Sequence, residues 1–301
     1  MQQRLSDDEL EIIARGVAHP LEPQAAVRMS STCIELRARL PQLLQVLKTQ
    51  YEEAEKLIPL PECKSRAELR VAASLNLEPS GRRGHDRLAK AAQVTAALEA
   101  FCMLARANAL QHLKVLTLYC RLNLPAQDEP ELLDSIVHVL PLLALSLDAG
   151  ALPSVKLINL GHVHNAQSAA AFVSILDKGA FPSLKTLDFS HWTREAAAGS
   201  TLSAILNARP AMENLFLSCT SLHDDGLAAI VGRVRPSLKR IYLDNNELTD
   251  VGMDSLASAL NEGRLPALEK AFTVGNWRIS SIARDRVSKA LEFVKGVRAG
   301  A

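Results

Sequence analysis

The chain has 301 residues, 48% of them hydrophobic and 22% charged, which supports a sizeable folded core and excludes a disordered polymer. A formal net charge of +1 excludes a general affinity for nucleic acid or for an anionic membrane surface, while leaving room for a local basic patch. The 5 cysteines are odd in number, widely spaced and without a CxxC, which points to a reducing compartment and not to a disulfide framework.

In chain order, Ser6 or Asp7 can N-cap a first helix with Glu9 in its opening turn. No signal-peptide apolar core follows. His19-Pro20 breaks that helix, and residues 22–28 and 31–40 read as two further short ones. Leu40-Pro41 separates them from a longer helix over residues 42–57, and IPLPECK (58–64) reads as a linker. The expected division is a small all-helical segment, 1–64, followed by a second unit, 65–301. Nothing in the chain approaches the roughly 20 consecutive apolar residues of a membrane span. The expectation is a soluble, cytoplasmic, monomeric protein without membrane or nucleic-acid partners.

The first segment resembles an F-box through Leu5, Glu9, Leu10, Ile12, Ile13, Pro20, Val27, Ser30, Cys33 and Leu36. It departs from that family at Ser6, where Pro is usual, and at Leu36, where an aromatic is common. The resemblance implies a surface of Leu5, Leu10, Ile13, Pro20 and Val27 for the small adaptor that joins F-boxes to cullins. The physical alternative is a helical cap over the open end of a repeat stack.

Beyond the linker, ELRVAASLNL (68–77) reads as a first, degenerate strand. GRRGHDR (81–87) is an exposed basic loop, and residues 86–108 read as one long helix without Gly or Pro. Then a pattern recurs, with apolar residues at its first, fourth and sixth positions. It occurs at Leu113/Leu116/Leu118, Val155/Ile158/Leu160, Leu184/Leu187/Phe189, Met212/Leu215/Leu217 and Leu238/Ile241/Leu243. A weaker copy is Leu268/Ala271/Thr273. After a longer first interval, holding a helix over 131–147 kinked at Pro141, the period lies in the high twenties. Positions four and six share one strand face and point to the core; positions five and seven point the other way. Helical spacing at Leu227, Ile230 and Val234, and again at Met253, Leu256 and Leu260, covers that core. Residues 279–297 read as a closing helix. A single strand-helix unit cannot bury its apolar face, whereas stacked units can.

The run IYLDNNELTDVGMDSLASAL resembles a leucine-rich repeat of the ribonuclease-inhibitor type, and the likeness extends over residues 66–301. The whole chain, including CKSRAELRVA, also looks like the repeat-protein families of unicellular algae, most of which have no assigned activity. The resemblance implies an α/β leucine-rich-repeat solenoid of about seven strand-helix units. A curved parallel sheet would lie inside and helices outside, preceded by the helical N-terminal segment. Position nine should then be Asn or Cys, but here it reads Arg121, Val163, Trp192, Thr220, Asn246 and Asn276. Trp192 is too large for an Asn slot, so a local rearrangement or an outward ring is expected there.

No phosphate-loop, dinucleotide, zincin or nucleophile-elbow motif occurs, so no catalytic residue and no cofactor is assigned. Position eight reads Cys120, His162, His191 and Cys219, residue types that bind zinc. Strands about 4.8 Å apart place the outer two about 14 Å from each other, too far for one ion, so no metal is assigned. On the outward face, position five reads Thr117, Asn159, Asp188, Phe216, Tyr242 and Phe272, flanked by Asn214, Arg240, Asp244 and Lys270. Three aromatics on adjacent strands of an open face suggest a contact surface; as packing alone, they would stabilise the sheet. The reading is a non-catalytic module that binds a protein partner through Asp188, Asn214, Phe216, Arg240, Tyr242, Asp244, Lys270 and Phe272. The alternative is an F-box-type substrate receptor of a cullin ubiquitin ligase. A GTPase activator is a third reading, from the repeat type alone, with no residue match to carry over.

Overall fold

The structure is a computed structural model that describes residues 24, 27, 41–57, 65–76, 87–118, 139–160, 166–192 and 199–299. Helix α1 (Pro41–Glu53) runs into a 3-10 turn (Ala54–Leu57). Then follow α2 (Arg66–Val71), β1 (Ser74–Asn76), α3 (Arg87–Arg106), β2 (Val115–Thr117), α4 (Val139–Ser146) and β3 (Leu157–Asn159). The later units are α5 (Ala166–Asp177), β4 (Thr186–Asp188), α6 (Gly199–Ala208), β5 (Asn214–Phe216) and α7 (Asp224–Val231). The chain closes with β6 (Arg240–Tyr242), α8 (Asp250–Asn261), β7 (Lys270–Phe272) and α9 (Ser281–Ala299). All seven strands form one parallel sheet in sequence order. The architecture is an α/β leucine-rich-repeat solenoid.

Each strand keeps only three residues, because alternation needs no more. The middle one points inward, and Leu116, Ile158, Leu187, Leu215 and Ile241 are buried while their flanking residues stay half-buried or exposed. Register is exact along the stack, with Leu187 opposite Leu215 and Leu215 opposite Ile241. A one-residue slip would turn that row outward. The helices close the other side. Met253, Leu256 and Leu260 of α8 are buried, as are Leu227 and Ile230 of α7. Val234 does not join them: α7 ends at Val231 with Gly232 as its C-cap, and Val234 is 62% exposed. In α9, Ala283, Val287, Ala290 and Val294 recur every three or four residues and cover the end of the core.

The first unit differs from its expected form. Residues 66–71 are helical and not extended, and only Ser74–Asn76 make a strand. Ser65 is the cause: its hydroxyl accepts from the Glu68 N–H and caps the helix. Pro41 opens α1, where its missing N–H costs nothing. Leu47, Ala54 and Leu57 are buried, and the latter two share the core of Leu69, Leu75 and Phe101. Residues 41–57 therefore dock on the first repeats. In α4, Pro141 is the third residue of the described helix; residues 131–138 lie outside the described ones.

Trp192 does not turn outward. It is 1% exposed, packs on Phe189 with ring centroids 4.2 Å apart, and donates its indole N–H to the Leu160 carbonyl. Asn246 and Asn276 make the equivalent bond one repeat back, to Leu217 O at 2.7 Å and Leu243 O at 2.8 Å. Trp192 thus fills the Asn slot with the same donor on a larger body. Trp192→Phe should cost about 1–3 kcal/mol, mostly from the Leu160 carbonyl left unpaired. Trp192→Ala should cost about 3–5 kcal/mol. Urea unfolding of the two variants checks this, and a Trp192→Phe chain as stable as the parent would deny the hydrogen bond its role.

Candidate concave interaction site

Phe216, Tyr242 and Phe272 end β5, β6 and β7 and are direct register partners. Their parity puts them on the face opposite the core. The three half-buried rings form one ladder: Phe216 and Tyr242 lie 4.0 Å apart at 7°, and Tyr242 and Phe272 4.4 Å apart at 6°. Asp188 is the register partner of Phe216 and continues the row on β4. The row two residues earlier holds Thr186, Asn214, Arg240 and Lys270 in the same order. The eight candidate residues therefore lie together at one end of the sheet, with Asp244 two residues beyond Tyr242.

The polar members divide by what satisfies them. Asp188 Oδ1 accepts the Ser190 N–H at 2.9 Å, and Asp244 Oδ1 accepts the Val274 N–H at 2.8 Å. Asn214 donates to Thr186 Oγ1 at 3.0 Å, but its own Oδ1 is buried with no partner among the described residues. Arg240 and Lys270 are exposed and have no ion-pair partner among those residues.

Beside them stands a group that sequence reasoning missed. Glu213, just before β5, is shared by Lys185 and by Lys239, the latter at 2.8 Å. Hydrogen bonds from these two lysines hold its carboxyl down at about 2. The signal was available: position two reads Lys185, Glu213, Lys239 on consecutive strands, an alternation that in-register pairing turns into an ion ladder.

The position-eight column has a backbone explanation. His191, Cys219 and Asn245 have φ of 67°, 58° and 54°, and Gly275, their counterpart, has 79°. These residues make the left-handed turn that leaves the strand. At Gly275 a Cβ would lie 2.0 Å from Asn245 Oδ1, so the last turn admits glycine alone. Cys120 and His162 lie outside the described residues. Cys219 is half-buried, whereas Cys102 is buried, and burial pushes its thiol pKa up. Cys102 borders a cleft of about 310 Å³ with Gln50, Glu99, Met103, Arg106 and Ser146, far from the concave patch in the stack. Of the F-box-like residues, Val27 is described and 51% exposed, while Leu5, Leu10, Ile13 and Pro20 lie outside the described set. The basic loop 81–86 lies outside it as well. No described helix is long and apolar enough to cross a membrane.

No family model matches the chain. No curated protein matches it. Among solved structures, it is similar to the tropomodulin C-terminal domain of Caenorhabditis elegans at 18% identity and a TM-score of 0.39, covering 50% of this chain and 92% of that one. It is also similar to the Rad7 and Elc1 complex of yeast at 14% identity and a TM-score of 0.32, covering 65% of this chain and 58% of that one. At these values neither likeness bears on the site.

Glu213 gives a pH prediction. Its folded pKa is depressed, so its contribution is present above its ordinary value of 4.5 and is lost as pH falls through about 2. Urea midpoints measured from about pH 5 down to about pH 2 should fall further for the parent chain than for Glu213→Gln. Parallel curves would remove the ion ladder from the stability of the sheet.

Proposed function

We propose that the chain is a non-catalytic interaction module that binds a protein partner on the concave face of its repeats, centred on Tyr242. It acts as a monomer in the cytoplasm. The observation that carries the reading is the stacked ladder of Phe216, Tyr242 and Phe272 on the sheet face that the described helices leave open. Large rings grouped on an open, rigid face are the usual centre of a binding hot spot.

A photo-crosslinking residue placed at Arg240 should trap the partner in cells. The same residue at exposed Ser258 on the convex helix α8 should not, and Tyr242→Ser should abolish the Arg240 product. Equal products from both positions would remove the concave face from the reading.

A second reading is carried by the F-box-like residues Leu5, Leu10, Ile13, Pro20 and Val27: an F-box-type receptor that holds a cullin ligase through its adaptor and substrate through the repeats. Titrating the intact chain with that adaptor should give micromolar or tighter binding, lost in a Leu10→Asp, Ile13→Asp variant. No binding at high concentration would leave those helices as a cap on the solenoid.

A further inference from the structure

Two cations of the concave patch have no ion-pair partner among the described residues, and they name the chemistry of its partner; the inference rests on the concave-face reading above. Arg240 and Lys270 are register partners on β6 and β7, on strands about 4.8 Å apart. Like charges placed directly opposite each other destabilise a sheet. Neither finds a carboxylate among the described residues. Acids stand close by and keep their charge, but none of them forms an ion pair with Arg240 or Lys270 among the described residues. Asp188 and Asp244 accept backbone N–H groups, and Glu213 is held between Lys185 and Lys239. Glu269 precedes Lys270 by one residue, so it leaves the strand on the other parity.

The rings point the same way. They stack strand to strand at 4.0 and 4.4 Å and within 7° of parallel, so their faces are sandwiched against each other and their edges meet the open side. A ring edge is the positive part of its quadrupole. Cations and nucleobases both bind ring faces, which this ladder withholds along most of its length.

We propose that the concave face binds an acidic peptide segment, with carboxylates seated on Arg240 and Lys270 and an apolar side chain lying across the ring edges at Tyr242.

The test is a random-peptide display selection on the intact chain, repeated on Arg240→Gln/Lys270→Gln and on Tyr242→Ser. Arg240 and Lys270 are exposed, so the double variant keeps its fold, which circular dichroism checks; relief of the repulsion should leave its urea midpoint equal or higher. The expected result is an acidic pool on the parent chain whose best peptide binds roughly tenfold or more weakly to the double variant. Its affinity should also fall as salt shortens the screening length from about 10 Å at 0.1 M to about 3 Å at 1 M. A neutral or basic pool that still depends on Tyr242 would overturn the acidic partner while leaving the concave face in use. A pool indifferent to Tyr242→Ser, or no enrichment over bare support, would overturn both. An oligouridylate that displaces the selected peptides with higher affinity would overturn the inference in favour of single-stranded nucleic acid.

Discussion

Just past β3, β4, β5 and β6 stand the inward residues Leu160, Phe189, Leu217 and Leu243, and each of their carbonyls has a donor: Trp192 for Leu160 and Phe189, Asn246 for Leu217 and Leu243. An unpaired buried carbonyl costs about 1–3 kcal/mol, a large fraction of the stability of an ordinary domain. Asn246 serves two such carbonyls, Leu217 O and Leu243 O, while its own oxygen accepts from Thr220 and Leu222 N–H at 3.0 Å each. Asn276 repeats this one unit on, donating to Leu243 O and accepting from Leu248 N–H. Thr220 is the weaker substitute; its hydroxyl reaches only Leu217 O of its own repeat and the Asn246 oxygen. Trp192 reaches a full repeat back to Leu160 O. The requirement is for a donor at a fixed place, and three different side chains meet it.

Meeting it in register fixes the curvature. Strands lie about 4.8 Å apart and packed helices about 8–10 Å apart, so the sheet must take the inside of the bend. Outward side chains on the sheet therefore converge. The aromatic centroid spacings of 4.0 and 4.4 Å, below the strand spacing, show that convergence directly. The same outward face places Arg240 opposite Lys270, while in the position just before the strands Glu213 lies between its two lysines. Opposite charges gain from such placement and like charges lose.

Much of this was legible in the sequence, for reasons of parity. The leucine spacing specifies which side of a three-residue strand each residue takes, so Leu215 inside and Phe216 outside follow without coordinates. Phe189 as core follows likewise. What parity does not specify is how a side chain is used once it is placed. Trp192 was expected to be displaced by its size, but its indole N–H, not its volume, decides its position. The alternation in residues 68–77 hid a helix, although Ser65 and Glu68 stand at cap spacing. Of the Cys-and-His column, the described members His191 and Cys219 stand in left-handed turns, a backbone property that side-chain chemistry does not reveal.

Regularity and the proposed contact surface meet at the same end of the stack. The asparagine ladder is kept at Asn246 and Asn276, and the aromatic ladder lies on β5, β6 and β7 over those same units. Asp250 adds a further clamp there, accepting both the N–H and the hydroxyl of Ser280, as Asp224 does from Thr249. A surface held this firmly loses little freedom when a partner docks, and that saved ordering cost goes into affinity. β6 is held in register between β5 and β7, and β7 against β6, so Arg240 and Lys270 move apart through their side-chain rotamers.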